Sequence, residues 1–415
     1  MTVSPEQSLP TARYHEKREA LLDAAARLFN TQGVKGATLT SIAASVGLVT
    51  NSVTYYYRKK EDLAHACFLR SIAALDTLAS EAAEQPSVSA RLQCFFRNHG
   101  QLLADIEVGR HTQLVNFNDI RALPGQDAEE VFAAFTDMFR HVRRLLKGTE
   151  TAHLTRDDLN ARAHVVLSIA HWVRSWIGSY EAEEYLRIGD RVSDILLHGL
   201  RATGSKWQAS DGELAWRLAP ETDGTSEAFL CAATVLVNEQ GYRGASVDRI
   251  SAALNVTKGS FYHHHDTKHD LITDCFERTF SVVRQALRLA EADNGTGWQR
   301  TCAATRALVR FQLAAGGPLL RTSALSALPD QEHRDQVRQT MYRLTERMAN
   351  LVVDGMMDAS IRPLDSAIAA RAIFAAINAA AELHRWFPGA TVDNVADVYA
   401  RPILEGVLCP TGARP

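Results

Sequence analysis

Apolar residues recur at helical spacing over most of this chain, and one pattern of them occurs twice. Ala20, Leu21, Ala24, Ala25, Leu28 and Phe29 fall on one helical face, and Gly33 ends that helix. Thr38 is a natural N-cap for a short helix through Ile42 to Val46. Gly47 supplies a turn, a second short helix is predicted from about Thr50 to Tyr56, and a longer one starts near Lys60.

The same order returns 208 residues later. EALLDAAARLFNTQGVKGATLTSIAASVGL from Glu19 lies over EAFLCAATVLVNEQGYRGASVDRISAALNV from Glu227 without a gap. Of the 53 pairs between Arg18–Arg70 and Ser226–Arg278, 20 are identical, a match long enough to mark a duplication. In the second copy Ser246 is the cap, Asn255 takes the turn and Thr257 caps Lys258 to His264. Asparagine suits that turn because it tolerates the left-handed conformation nearly as glycine does. Two short helices behind a longer one make a helix-turn-helix, whose second helix can enter a major groove.

Composition narrows the classes. With 415 residues and 46% hydrophobic content the chain can fill two or more packed domains, and the Ala, Leu and Arg richness favours helix. Net charge is −3, so a surface for nucleic acid must be local. The six cysteines show no C-x-x-C spacing, the N-terminus is polar, and no run of about 18 apolar residues is present. A cytoplasmic, nucleoid-associated protein is expected. No G-x-G-x-x-G, Walker loop, nucleophile elbow or H-E-x-x-H is found, so neither catalysis nor a cofactor is expected. The run His263, His264, His265 invites a metal reading. Consecutive helical residues point about 100° apart and cannot converge on one ion, so no metal is expected.

Both copies resemble the DNA-binding head of the TetR/AcrR family of bacterial one-component repressors. The second carries the pattern at Gly241, Gly244, Ser246, Ile250, Thr257, Gly259, Phe261, Tyr262, His264, Lys268 and Leu271, and departs at His265, where phenylalanine is usual. The first departs more, with Thr54 in the place of the tyrosine and Tyr56 in that of the histidine; Lys60, Asp62 and Leu63 fit. The resemblance implies an all-α chain of two tandem units, each a head followed by a helical ligand and dimerisation domain. The bundle that joins two subunits in the family would close within this chain as a pseudo-dimer. The expected layout is a flexible arm at 1–12, a first head at 13–85 with its helical domain at 86–202, a linker at 203–222, and a second head at 223–293 with its domain at 294–408. Trp207 and Trp216 point to docking of parts of the linker. The ends of the halves also match: Arg174-Ser-Trp176, Tyr185 and Gly199-Leu200 parallel Arg385-Trp386, Tyr399 and Gly406-Val407.

Operator DNA is the partner the resemblance implies. Thr38 and Ser246 can cap a helix and donate to phosphate, and Lys60 and Lys268 can reach the same strand. Tyr262 and His264 would brace the backbone in the second copy, Tyr55, Tyr56 and Tyr57 in the first. Base readers are expected at Thr50, Asn51 and Thr54 in one head and at Lys258, Gly259 and Phe261 in the other, after the Thr257 cap. Because these sets differ, unequal half-sites are expected. Charge differs too: eight Lys/Arg against five Asp/Glu over Arg13–Asp62, but five against seven over Ser226–Arg278. Either both heads bind with divided labour, or one has drifted; an adaptor with degenerate heads that binds protein partners is the alternative.

A small apolar, acyl or aromatic effector is also implied. Candidate pocket residues are His99, Asn116, Phe117, Phe135, Phe139, His171 and Trp172 in the first copy, with Phe311, Met341, Phe374 and Asn378 in the second. Phe132, Phe135 and Phe139 share one helical face, an arrangement that serves core packing as readily as a ligand wall.

Overall fold

A computed structural model describes residues 12–410 apart from 118–119, 121–122, 208–217, 219–223, 260–261, 263–266, 315 and 329. Phe261, His264 and Trp216 lie outside the described residues. Helices carry the described chain, and a single β-bridge among those residues pairs Arg201 with Ile361. The chain forms two compact units, Met1–Leu75 with Asp105–Asp137, and Asp76–Ala104 with Met138–Pro415.

The first unit holds α1 (Ala12–Gly36), α2 (Leu39–Ser45), α3 (Thr50–Tyr56) and the start of α4 (Lys60–Ala83). Helix α1 breaks at Gly33, whose φ of 72° leaves the helical region. Of the predicted apolar face Leu21, Ala24, Ala25 and Phe29 are buried and Leu28 is half-buried, but Ala20 is exposed; Leu22 and Ala26 join the core instead, with Ile42, Val53, Leu63, Cys67 and Phe68. Thr38 caps α2 as expected, its hydroxyl accepting Ser41 N–H at 3.0 Å while Ser41 Oγ accepts Thr38 N–H at 3.1 Å.

The second unit includes most of α5 (Val88–Glu107), the end of α6 (Gly125–Leu145), and all of α7 (Arg156–Val173) and α8 (Tyr185–His198). It continues with α9 (Gly224–Gly244), α10 (Val247–Ala253), α11 (Lys268–Glu291), α12 (Gly297–Leu313), α13 (Gln331–Met357), α14 (Ser366–Ala380) and α15 (Arg401–Glu405). Helix α9 breaks at Gly241 with a φ of 72°, as α1 does at Gly33. Thr267 opens α11 in a capping box with Asp270.

Residues shared by the two copies make the same ties in each. Asn30 Nδ2 donates to Leu114 O at 2.8 Å, and Asn238 Nδ2 to Leu319 O at 2.9 Å. Arg70 reaches Glu19 and Gln113 O; Arg278 reaches Glu227 and Pro318 O. The thiols of Cys67 and Cys275 each meet a helix carbonyl at 3.6 Å, and burial pushes both up to about 12. The asparagines and arginines therefore fasten each head to the loop behind it, and the cysteines tie helices within the head.

The last two helices of the first copy, α7 and α8, pack on the last two of the second, α14 and α15, so the bundle closes within one chain. Where α8 and α15 end, Gly199 and Gly406, with φ of 63° and 94°, meet back to back. Leu200 N–H donates to Leu404 O and Val407 N–H to Leu196 O, both at 2.7 Å. A Cβ on Gly199 would collide with Leu404 O, and one on Gly406 with Leu197 O, so only glycine allows this approach. Arg162, fully buried on α7, donates to Val407 O at 2.8 Å and Cys409 O at 2.7 Å. His164 and Arg371, 207 residues apart like the two glycines, each reach across. His164 Nδ1 lies 3.1 Å from Tyr399 OH, while Arg371 donates to Tyr180 OH at 3.0 Å and covers the Trp176 ring. The contact is therefore pseudo-symmetric in backbone and unlike in side chains.

The start of the linker docks on the second copy. Trp207 Nε1 donates to Asp397 at 2.8 Å, Arg306 and Arg401 lie over its ring, and Trp298 Nε1 donates to Lys206 O at 3.1 Å.

Candidate nucleic-acid interface

In the first head the turn is made by Gly47 at φ 67°; in the second Asn255 takes the same place at φ 55°, the substitution that its tolerance of the left-handed region predicts. Val53, on the inner face of α3, is buried, while Asn51, Thr54 and Tyr55 are exposed and Thr50 and Tyr56 half-buried. Thr50 donates to Thr40 Oγ1 at 3.3 Å and Thr54 to Asn51 O at 2.9 Å. Tyr55 is 75% exposed, enough to reach a phosphate, and its ring meets those of Tyr56 and Tyr14. Tyr14 on α1 lies 4.9 Å from Tyr56, a neighbour that the sequence did not reveal. Tyr57 points the other way: it is 7% exposed, Arg18 lies over its ring, and burial pushes its phenol up to about 12. The sequence placed it beside the backbone-bracing tyrosines, but its position after the outer face of α3 turns it into the core.

In the second head Ser246 caps α10 by accepting Arg249 N–H at 3.3 Å. Thr257, Lys258, Gly259 and Tyr262 are exposed, and residues 258, 259 and 262 are helical. Lys258 Nζ is 2.6 Å from Asp248 of α10, and that hydrogen bond holds the ammonium above the usual lysine range. Sequence reasoning missed Asp248 and its counterpart Thr40 because neither stands in the second helix of its motif.

The two expected phosphate lysines share a geometry. Lys60 Nζ donates to Lys35 O at 3.2 Å and Ala37 O at 3.1 Å, and Lys268 Nζ donates to Tyr242 O and lies over the Tyr242 ring. Each ammonium thus satisfies carbonyls left open after the break in the preceding long helix. That duty is common to both copies.

The candidate pocket residues are spread through the fold. Asn116, Phe117 and Phe135 belong to the first unit, where the Phe117 and Phe135 rings lie 5.3 Å apart. His99, Phe139, His171 and Trp172 belong to the second. Phe139 of α6 stacks on Trp386 of the other copy at 3.7 Å, which puts it at the contact between the copies. Burial, with Arg174 nearby, lowers His99 and His171 to about 3, so both rings are neutral. In the second copy Phe311 is buried under Arg278, Asn378 Oδ1 accepts Thr322 N–H at 3.2 Å, and Met341 and Phe374 are half-buried. A groove of about 270 Å³, lined by Thr273, Glu277, His333, Val337, Thr340 and Arg343 among others, includes none of these candidates. No helix of the described residues is long and apolar enough to cross a membrane.

The sequence profile of the bacterial regulatory proteins of the tetR family matches residues 21–67 and again 229–275, and that of the tetracyclin repressor-like C-terminal domain matches 294–407. These spans make up half of the chain. The transposon Tn10 TetC protein of Escherichia coli is 34% identical over 74 residues, 18% of this chain and 37% of that protein. The biofilm operon icaADBC HTH-type negative transcriptional regulator IcaR of Staphylococcus epidermidis is 34% identical over 62 residues, 15% of this chain and 34% of that protein. The matched stretch thus spans about a third of the length of these curated relatives. Among solved structures, the TetR family transcriptional regulator PfmR from Thermus thermophilus is 18% identical with a TM-score of 0.36, over 45% of this chain and 96% of that one. The chain belongs to the TetR family of bacterial regulatory proteins, and it carries the family's N-terminal unit twice.

Proposed function

We propose that this protein is a DNA-binding transcriptional regulator, a repressor released by a small effector, whose two unlike heads read unequal half-sites. One observation carries the reading: the same helix-turn-helix frame presents Thr50, Asn51, Thr54 and Tyr55 in one head and Lys258, Gly259 and Tyr262 in the other. A symmetric dimer must read a palindrome, because protein symmetry is mirrored in the site. Two different readers in one chain are released from that constraint. Phosphate contacts from Thr38, Tyr55, Lys60, Ser246 and Lys268 supply register, and the exposed residues of the second helices supply choice. The relative IcaR is by name a negative regulator, which supports repression over activation.

Release follows from a population shift, in which an apolar, acyl or aromatic effector binds better to the state with weaker operator affinity. The neutral buried imidazoles of His99 and His171 suit hydrogen bonds to a polar end of such a molecule. Closure of the α7, α8, α14 and α15 bundle within one chain supports a monomer as the working form, which light scattering tests.

Selection of bound DNA from a random pool tests the central claim. Unequal half-sites are expected, with centres roughly one helical turn (about 34–36 Å) apart. A perfect palindrome refutes the two-reader scheme. Absence of salt-dependent binding at low salt refutes the regulator reading altogether and turns attention to protein partners. Lys60→Ala and Lys268→Ala are each expected to flatten the salt slope by about 1.

A further inference from the structure

One pair of positions bridges the two short helices of the motif in both heads, with different chemistry in each. In the first head Thr50 Oγ1 donates to Thr40 Oγ1 at 3.3 Å. At the matching positions of the second head, 208 residues on, Lys258 Nζ lies 2.6 Å from Asp248 Oδ1. Both members of the ion pair remain open to solvent, with side-chain exposures of 58% and 66%. Lys258 begins the second helix of the motif, and Asp248 lies in the first turn of α10. An exposed pair of this kind contributes little to folding. Its charges nonetheless matter to anything that docks there.

We propose that Asp248 and Lys258 act as one reading unit that selects a G·C base pair in the half-site of the second head, while the Thr40–Thr50 pair leaves that position less selective in the first. This rests on the function proposed above. In the major groove guanine offers the N7 and O6 acceptors, and its cytosine partner offers the N4 amino donor beside them. The ammonium supplies donors and the carboxylate an acceptor, side by side, so the couple complements that edge. Adenine or thymine at the same place would put a donor toward the ammonium or remove the donor the carboxylate needs. Asp248 also repels phosphate, so a duplex without the matching pair gains less from Lys258. The two hydroxyls of Thr40 and Thr50 can each donate or accept and so discriminate weakly.

The test uses the full chain and exchanges the pair between heads. Binding-site selection is run on wild type, on Asp248→Thr with Lys258→Thr, and on Thr40→Asp with Thr50→Lys, with thermal unfolding as a check that each variant folds. Wild type should show a G·C preference at one position of a single half-site. The first variant should lose that preference by roughly 5- to 150-fold while the other positions keep theirs. The second should acquire it in the other half-site. If wild type shows no such G·C position, or if selectivity is unchanged by the first exchange, the reading unit is refuted while DNA binding stands. If wild type binds no DNA, the proposed function itself fails, and this inference with it. Should one variant unfold, the other exchange still decides.

Discussion

Arg162 offers the most direct measure of what holds the two copies together. Its guanidinium is fully buried, donates to Val407 O, Cys409 O and Asp158 O, and is lowered from the usual arginine range chiefly by that burial. Arg162→Met keeps most of the volume and removes the charge. Hydrogen bonds from a charged donor contribute about 1.5–3 kcal/mol each, so the two bonds across the copies amount to about 3–6 kcal/mol. Relief of the buried charge offsets part of this, and a net loss of about 2–4 kcal/mol is expected. Arg162→Lys should fall between the two, because a point charge cannot serve both carbonyls with one planar fork. Urea denaturation of the full chain is the assay, read by far-UV circular dichroism and by tryptophan fluorescence, since Trp386 and Trp176 sit at the contact between copies. Amide exchange at residues 404–409 gives a local readout of the same opening. If Arg162→Met leaves the unfolding free energy within about 0.5 kcal/mol of wild type, the guanidinium does not fasten the second copy's end, and the reasoning is refuted.

Other expectations follow from the same geometry. Gly406→Ala should destabilise the closed bundle by about 2–5 kcal/mol in the same denaturation series, since its backbone is left-handed and its Cβ would meet Leu197 O; Gly204→Ala, where nothing lies within 4 Å, should cost only the left-handed strain, about 1–2 kcal/mol. His99 and His164 are held neutral, lowered to about 3 and about 4 by burial. A folded pKa below the unfolded value near 6.5 makes the unfolded state the better proton binder. Stability is therefore full above pH 6.5 and falls as pH drops toward 4, by up to about 1.4 kcal/mol per pH unit for each ring. Denaturation between pH 7 and 4.5 checks this, and His164→Asn should remove its own share of the slope. Trp207→Phe should cost about 1 kcal/mol for the lost bond to Asp397, and Trp207→Ala about 1–3 kcal/mol, read by thermal unfolding.

Features that act through a residue's own backbone or its near neighbours were legible in the sequence. Gly47 and Asn255 mark the same left-handed turn, and Thr38 and Ser246 announce their caps, because each is a local demand on one side chain. The duplication was plain, yet part of what its identities do was not. Lys60 and Lys268 suggest phosphate, but they also serve carbonyls at the end of the preceding helix, and a carbonyl has no side-chain signature. The same holds for Asn30, Arg70 and Arg162, whose acceptors are backbone atoms distant in sequence. Phe139 read equally well as pocket or core, and its partner Trp386 lies in the other copy. The Asp248–Lys258 couple spans two helices, so no single-helix pattern exposes it.

The reciprocal bonds at Gly199 and Gly406 also set a schedule for synthesis. Leu196 and Leu200 pair with Val407 and Leu404, so the first half's closing surface must wait for about two hundred further residues. At about 5–20 residues per second that wait lasts roughly 10–40 s, with the inner faces of α7 and α8 uncovered. Neighbouring ribosomes on one message hold identical unfinished chains, each carrying the surface that another's second half fits. Exchange of halves between them would give an interlocked dimer with every native contact intact. On that account slower translation lengthens the exposure and favours interlocking, while faster translation favours closure within one chain.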